Sequence, residues 1–147
     1  MEKAIYFDMD GTIVDLYGYK GWLPELRAES TKPYEGAAPL LRLCELARRL
    51  NQLQRKGYHI GIVSWLSKCG TPHYNKEVTI AKINWLHKHL KSVNWDEIVI
   101  AEYGKFKEKI VSKPKGILFD DEESNRMYWI GKAYDETKIM EVLKAIS

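Results

Sequence analysis

The first residues with chemical potential are two aspartates that directly follow a short apolar stretch. Residues 5–15 read IYFDMDGTIVD, so Asp8 and Asp10 come after a strand-like run and stand just before Gly11. Two carboxylates at the end of a buried strand are unfavourable unless they pair with cations or bind a metal. One such carboxylate can act as a nucleophile, and a second can act as a general acid and base.

Polar residues that suit phosphate and metal chemistry follow three further apolar runs. Ser64 ends the segment YHIGIVS, and Asp120 and Asp121 end the segment GILFDD. A hydroxyl and an ammonium can hold the oxygens of a transferring phosphoryl group, and carboxylates are preferred ligands of Mg²⁺. The loop after EIVI contains three candidate lysines, Lys105, Lys107 and Lys109.

The spacing of apolar residues predicts the scaffold that brings these side chains together. Strand-like runs alternate with helical patterns, which predicts an α/β fold with a Rossmann-like parallel sheet flanked by helices. In such sheets, ligands bind beyond the carboxyl ends of the strands. The predicted strands are residues 3–7, 58–63, 97–100 and 116–119, and the predicted helices are residues 39–56, 76–91, 124–130 and the segment capped by Asp135.

The chain length predicts a single domain over residues 1–147, since 147 residues can bury one core. Residues 15–38 are rich in Gly, Pro and Tyr and lack a sustained period. They are interpreted as an ordered insertion, a short flap or cap that contains one short helix. An insertion of this size leaves the site open.

Three short motifs resemble those of haloacid dehalogenase-like hydrolases. The segment DMDGT (8–12) matches their first motif, IGIVS ending in Ser64 is similar to the second, and ILFDD (117–121) is similar to the fourth. The resemblance, to a small phosphatase-like member with a minimal cap, covers nearly the whole chain and implies the haloacid dehalogenase-like fold. It implies that Asp8 is the nucleophile and Asp10 the general acid and base. Since dehalogenating members lack that second acid, it also implies a phosphatase.

The same resemblance implies a Mg²⁺ site and a phosphate site. The metal set is Asp8, Asp10 through its backbone carbonyl, Asp120 and Asp121. Asp120 is favoured as the direct ligand, with Asp121 as an indirect or water-mediated partner. Ser64 and one lysine bind the phosphate. The segment YG-x-x-K favours Lys107, while Lys105 and Lys109 remain alternatives.

The predicted function is therefore a Mg²⁺-dependent phosphomonoester hydrolase that works through an aspartyl-phosphate intermediate on Asp8. The alternatives on the same chemistry are a phosphotransferase and a nucleotide-end or polynucleotide-end phosphatase. A third reading is a non-catalytic module that binds phosphate or metal. The substrate is expected to be phosphorylated, either a small molecule or a nucleotide, and its identity stays open.

Composition sets the expected surroundings of the protein. The formal net charge of +3 is mild, which disfavours nucleic acid as a partner without ruling it out. Two cysteines at unrelated positions and the lack of a signal-like N-terminal segment predict a cytoplasmic location. No apolar run approaches the roughly 20 residues of a membrane span, so no membrane association is expected. The oligomeric state stays open.

Overall fold

A five-stranded parallel sheet forms the centre of the fold. The computed structural model describes residues 2–147, and Met1 lies outside this described part. Five strands pair in the order β5-β4-β1-β6-β7, all parallel, while β2 and β3 form a separate antiparallel pair. The predicted α/β class is thereby confirmed. The strands are β1 (Ala4–Phe7), β2 (Val14–Asp15), β3 (Ala38–Pro39), β4 (His59–Trp65), β5 (Glu97–Ala101), β6 (Ile117–Phe119) and β7 (Lys132–Tyr134).

The central strand β1 lies between β4 and β6, with Ile5 opposite both Ile60 and Ile117. All four residues of β1 are buried, as expected for a parallel strand that is covered on both faces. The chain extends the sheet from β1 through β4 to β5, and then crosses to β6 on the other side of β1. The carboxyl ends of β1, β4 and β6 therefore meet at the point where the strand order reverses, which is where such sheets bind ligands.

In the described residues, five α-helices and one short 3-10 turn lie between strands, and a second 3-10 turn and a final helix follow the last strand. None of the helices in the described residues is both long and apolar enough to cross a bilayer. The helices are α1 (Trp22–Arg27), α2 (Lys32–Gly36), α3 (Leu43–Arg55), α4 (Pro72–His89), α5 (Glu123–Tyr128) and α6 (Ile139–Ile146), and the 3-10 turns span Lys107–Lys109 and Glu136–Lys138.

The core is split between the two faces of the sheet. On one face, Leu46 and Leu50 of α3 and Leu143 of α6 are fully buried against the strands. Burial of one such leucine contributes about 1.5–3 kcal/mol. On the other face, Tyr6 packs with Trp129 at 5.6 Å between ring centroids. Packing on both faces fixes β1 rigidly, so the residues just beyond its end are held in place.

Two helices begin at different residues from those predicted. Helix α3 starts at Leu43 rather than Pro39, because Pro39 belongs to β3 and pairs with Val14. Helix α4 starts at Pro72 and has Thr71 as its N-cap, whose hydroxyl accepts a hydrogen bond from the Tyr74 amide at 3.2 Å. Proline is well suited to the first helical position.

The insertion at residues 15–38 contains two short helices, α1 and α2, rather than the one that was predicted. It is anchored by an apolar cluster, in which Leu16 and Tyr34 of the insertion pack with Leu66, Tyr74 and Val78. Both ends of the insertion are tied together by β2 and β3. This segment therefore stands beside the carboxyl end of the sheet as an ordered wall.

Candidate active site

The loop after β1 is a tight turn that fixes the two aspartates. The carbonyl of Met9 accepts hydrogen bonds from the amides of Thr12, Ile13 and Val14 at 3.0–3.1 Å. Gly11 has a φ of 82°, and a Cβ there would stand 2.8 Å from Asp121 Cγ and 2.9 Å from the Tyr17 ring. Only glycine meets both the backbone conformation and the close approach.

Three carboxylates meet beyond the ends of β1 and β6. Asp8, Asp120 and Asp121 each offer an oxygen, and these atoms lie within 4.8 Å of one another. The Thr12 hydroxyl lies 3.1 Å from Asp8 Oδ2 and 3.3 Å from Asp121 Oδ1, and its oxygen accepts a hydrogen bond from the Asp121 amide. Asp10 is absent from this cluster of carboxylates.

The two aspartates after β6 differ in how many hydrogen bonds and ion pairs their carboxylate oxygens already make. Asp120 is fully buried, and its Oδ2 accepts from Lys107 at 2.6 Å and from Asn125 at 3.1 Å. Its Oδ1 accepts from the Glu122 amide at 3.0 Å. Asp121 is partly exposed and, within the described residues, contacts no cation. Asp121 therefore retains more capacity for a ligand than Asp120.

Both carboxyl groups hold protons more tightly than usual. Burial, with the neighbouring Asp8 charge adding to it, raises the pKa of Asp121 to about 8. The same two causes raise the pKa of Asp120 to about 6, although Lys107 acts in the opposite direction. A cluster of this kind favours a cation, because a cation offsets both the burial cost and the mutual repulsion.

Of the three candidate lysines, Lys107 is the one that reaches the carboxylates. Its side chain is 2% exposed, and its Nζ lies 2.9 Å from Asp8 Oδ1 and 2.6 Å from Asp120 Oδ2. Burial lowers the pKa of Lys107, but these two carboxylates raise it by more, so it stays above its ordinary value. Lys105 and Lys109 are exposed. The structure thus brings Lys107 to Asp8 and leaves the other two at the surface.

A second buried lysine, which the sequence analysis missed, lies on α4. Lys82 is 1% exposed, and its Nζ lies 2.9 Å from Asp10 Oδ2, 2.9 Å from Ser64 Oγ and 2.6 Å from the Trp65 carbonyl oxygen. A signal was present in the sequence, because Lys82 shares the spacing of the apolar residues Val78, Trp85 and Leu86. A charged residue on the buried face of a helix needs a partner.

The carboxylate of Asp10 is therefore held apart from the three-carboxylate cluster. Burial raises the pKa of Asp10 above its ordinary value, and the ion pair with Lys82 offsets only part of that effect. Ser64, at the end of β4, is also buried, and Lys82 fixes its hydroxyl. Lys82 thus connects the loop after β1, the end of β4 and helix α4.

A cavity of about 610 Å³ opens from these residues toward the insertion. Its floor includes Asp8, Asp10, Ser64, Lys107 and Asp120. Its walls come from the insertion on one side and from the segments after β4 and β5 on the other. Six aromatic side chains line the walls, and they are Tyr17, Trp22, Tyr34, Trp65, Tyr74 and Tyr103.

The fold has a counterpart among phosphatases of known structure. The chain superposes on the crystal structure of D,D-heptose 1,7-bisphosphate phosphatase from Burkholderia thailandensis with a TM-score of 0.52 and 14% sequence identity. The match covers 86% of this chain and 70% of that chain. No protein-family model and no curated protein sequence matches this chain. At this level of identity the likeness concerns the fold alone, and it supports the predicted Rossmann-like α/β fold.

Proposed function

We propose that this protein is a phosphomonoester hydrolase that requires Mg²⁺ and forms an aspartyl-phosphate on Asp8. The observation that carries the proposal is the pairing of two aspartates, two residues apart, with two different buried lysines. Lys107 contacts Asp8 at 2.9 Å, and Lys82 contacts Asp10 at 2.9 Å. Two carboxylates in different environments can take different roles in one reaction, one as nucleophile and one as acid.

In the first step, an oxygen of Asp8 attacks the phosphorus atom and the bond from phosphorus to the leaving oxygen breaks. Asp8 suits this role because each of its two oxygens has its own partner. Lys107 contacts Oδ1 and Thr12 contacts Oδ2, so the carboxylate is held in one orientation. Asp10 gives its proton to the leaving oxygen, and its raised pKa favours the protonated form that this requires.

In the second step, water attacks the phosphorus of the aspartyl-phosphate. The bond from phosphorus to the Asp8 oxygen breaks, and Asp10, now without its proton, takes a proton from that water. Phosphate leaves, and both aspartates return to their starting states. Lys82 keeps the Asp10 carboxylate and the Ser64 hydroxyl at a fixed separation through both steps, because its Nζ contacts each of them at 2.9 Å.

The groups proposed to hold the transferring phosphoryl oxygens are Ser64 and Lys107. An ammonium has three N–H donors, of which Lys107 uses two on Asp8 and Asp120. The third donor is left for a substrate oxygen. Fixed donors stabilise the negative charge that develops on those oxygens.

The residues present fit Mg²⁺, because oxygens of three carboxylates converge within 4.8 Å and oxygen donors suit this hard cation. The pKa values of two of them, Asp120 and Asp121, are raised. We propose Asp8 and Asp121 as its carboxylate ligands, with Asp120 supporting them. The backbone carbonyl of Asp10 is the further ligand that the motif resemblance implies. When bound, the ion supplies positive charge that offsets the charge of the phosphoryl group. The contacts of Asp120 favour Asp121 as the direct ligand, the reverse of the preference drawn from sequence.

The phosphatase activity of the structural neighbour supports a reaction of this general class. The test is phosphate release from p-nitrophenyl phosphate with Mg²⁺ or with chelator. We expect turnover with Mg²⁺ that is lost in Asp8→Asn, because an amide does not attack phosphorus. Asp135→Asn is the matched control, since Asp135 is a partly exposed N-cap that does not line the cavity and asparagine caps equally well. Turnover in folded Asp8→Asn above a few per cent of wild type would refute the assignment.

A further inference from the structure

The cavity is much larger than a phosphate group requires. At about 610 Å³ it falls within the range of roughly 300–1,000 Å³ that is typical of pockets for whole small-molecule ligands. The carboxylates and Lys107 occupy only its floor. The walls must therefore contact the rest of the substrate, and their chemistry indicates which kind of group that is.

Two pairs of aromatic rings flank the floor. On the insertion side, Tyr17 and Trp22 are in edge contact at 5.0 Å between centroids, and the Tyr17 ring adjoins Gly11 of the loop after β1. On the other side, Trp65 and Tyr103 are 5.0 Å apart, and the Trp65 ring lies 5.3 Å from Lys107 Nζ. One pair thus adjoins the loop that carries Asp8 and Asp10, and the other adjoins Lys107.

Several polar side chains of the walls are committed to protein partners. Glu29 accepts hydrogen bonds from the Thr71 amide and hydroxyl at 3.1 and 2.8 Å. Tyr74 donates to the Ser30 carbonyl at 2.8 Å, and Asn125 donates to Asp120. Ser67 also lines the cavity, and its buried Oγ has no hydrogen-bond partner among the described residues, so it is free to contact a polar group of the substrate.

The cations of the wall stand at the exposed edge. Arg27 and Lys68 both line the cavity and are exposed, and Lys68 Nζ lies 5.8 Å from the centre of the Tyr103 ring. Guanidinium and ammonium groups beside aromatic rings suit a planar, electron-rich group with acceptor atoms at its rim. A heteroaromatic base has both properties.

We propose that the substrate is a nucleoside monophosphate whose base stacks on these aromatic pairs while its phosphate reaches Asp8. This inference rests on the proposed phosphatase function and adds the substrate class. The reaction is the hydrolysis already described, with the nucleoside hydroxyl oxygen as the leaving oxygen. Base stacking on aromatic side chains strengthens binding by roughly 5- to 150-fold for each base.

The matched substrate for the test is ribose 5-phosphate, which keeps the sugar and phosphate of a nucleotide and lacks the base. With Mg²⁺, we expect kcat/KM for AMP and UMP to exceed that for ribose 5-phosphate by at least about tenfold. Phosphotyrosine distinguishes a nucleoside from a simple aryl group. A higher kcat/KM for phosphotyrosine than for both nucleotides would overturn the assignment to nucleosides.

Variants connect the preference to the rings. Trp22→Leu and Tyr103→Leu remove one ring from each pair and should lower kcat/KM for AMP by about 5- to 10-fold, and far less for ribose 5-phosphate. Tyr128→Leu is the control, because Tyr128 is 61% exposed and pairs with Phe106 outside the cavity. An equal loss on both substrates in the cavity variants would contradict stacking on the base.

Equilibrium binding separates this inference from the proposed function. Calorimetry in chelator, with AMP and with ribose 5-phosphate, measures recognition of the base without turnover. If no phosphomonoester is hydrolysed but AMP still binds more tightly, the hydrolase proposal fails and the ligand class stands. If ribose 5-phosphate is hydrolysed and bound as well as AMP, the ligand class fails and the hydrolase proposal stands.

Discussion

Lys82 Nζ lies 2.9 Å from Asp10 Oδ2, and the two side chains are only 1% and 15% exposed. This ion pair joins the middle of helix α4 to the loop after β1, and the same ammonium also contacts Ser64. A buried charge that loses its partner is destabilising by several kcal/mol, whereas the pair as a whole is often close to neutral. Lys82 and Asp10 therefore affect both the stability of the protein and the proposed reaction.

Replacing this lysine should destabilise the protein through the aspartate that it leaves behind. We expect Lys82→Met to lower the free energy of unfolding by about 3–5 kcal/mol at pH 7, measured by denaturant titration. Lys88→Met, an exposed position on the same helix, should change it by less than about 0.5 kcal/mol. The double variant Lys82→Met with Asp10→Asn should recover part of the loss, since it removes the unpaired charge. Simple additivity of the two single changes would contradict the buried pair.

Loss of the carboxylate at position 10 should slow the reaction in a way that depends on the leaving group. Asp10→Asn is expected to reduce the first step by about 10²–10⁴-fold for alkyl phosphates, because their leaving oxygen needs a proton. An aryl phosphate with an acidic phenol needs that proton less and should lose less. Single-turnover measurements on both substrates decide this, and equal losses would remove Asp10 from the acid role.

The two aspartates after β6 should respond differently to metal. In chelator, Asp121→Asn should raise the melting temperature, because it removes repulsion from a carboxylate without a cation partner. Asp120→Asn should not raise it, since Lys107 would lose its 2.6 Å contact. At a hundredfold excess over its dissociation constant, Mg²⁺ should stabilise wild type by about 2.7 kcal/mol.

Thermal scans with chelator and with Mg²⁺ measure both effects. Asp121→Asn is expected to lose most of the Mg²⁺-dependent shift. A full shift in that variant would exclude Asp121 as a ligand.

The pH dependence of stability in chelator should also report on Asp121. Its pKa is about 8 in the folded protein, against an ordinary value of 3.8, so the folded state binds the proton more tightly than the unfolded chain. The stabilising contribution of Asp121 to the free energy of unfolding is therefore fully present below pH 4 and is lost as the pH rises toward 8. Wild type should lose more stability than Asp121→Asn between pH 5 and pH 8. Parallel pH profiles for the two proteins would contradict the raised pKa.

The sequence by itself determined the fold class and which residues stand at the strand ends. Apolar runs such as Ile5–Phe7 and Ile117–Phe119 are local features, and each is followed at once by its aspartates. Because parallel strands end at one edge of the sheet, their convergence followed from topology. The first residues of the helices were less well predicted, and Pro39 is an example. That proline suits the first turn of a helix, but its pairing with Val14 across 25 residues prevails.

Only the tertiary structure decided which charges meet. The motif resemblance favoured Lys107 and left Lys105 and Lys109 as alternatives, and the 3-10 turn at 107–109 buries the first of its two lysines against Asp8. Lys82 pairs with a residue 72 positions earlier in the chain, and the strand order alone brings that partner within reach. Local patterns describe which residues an element buries. The contacts made between elements depend on how they are packed together, and this is why the second lysine of the site emerged only from the structure.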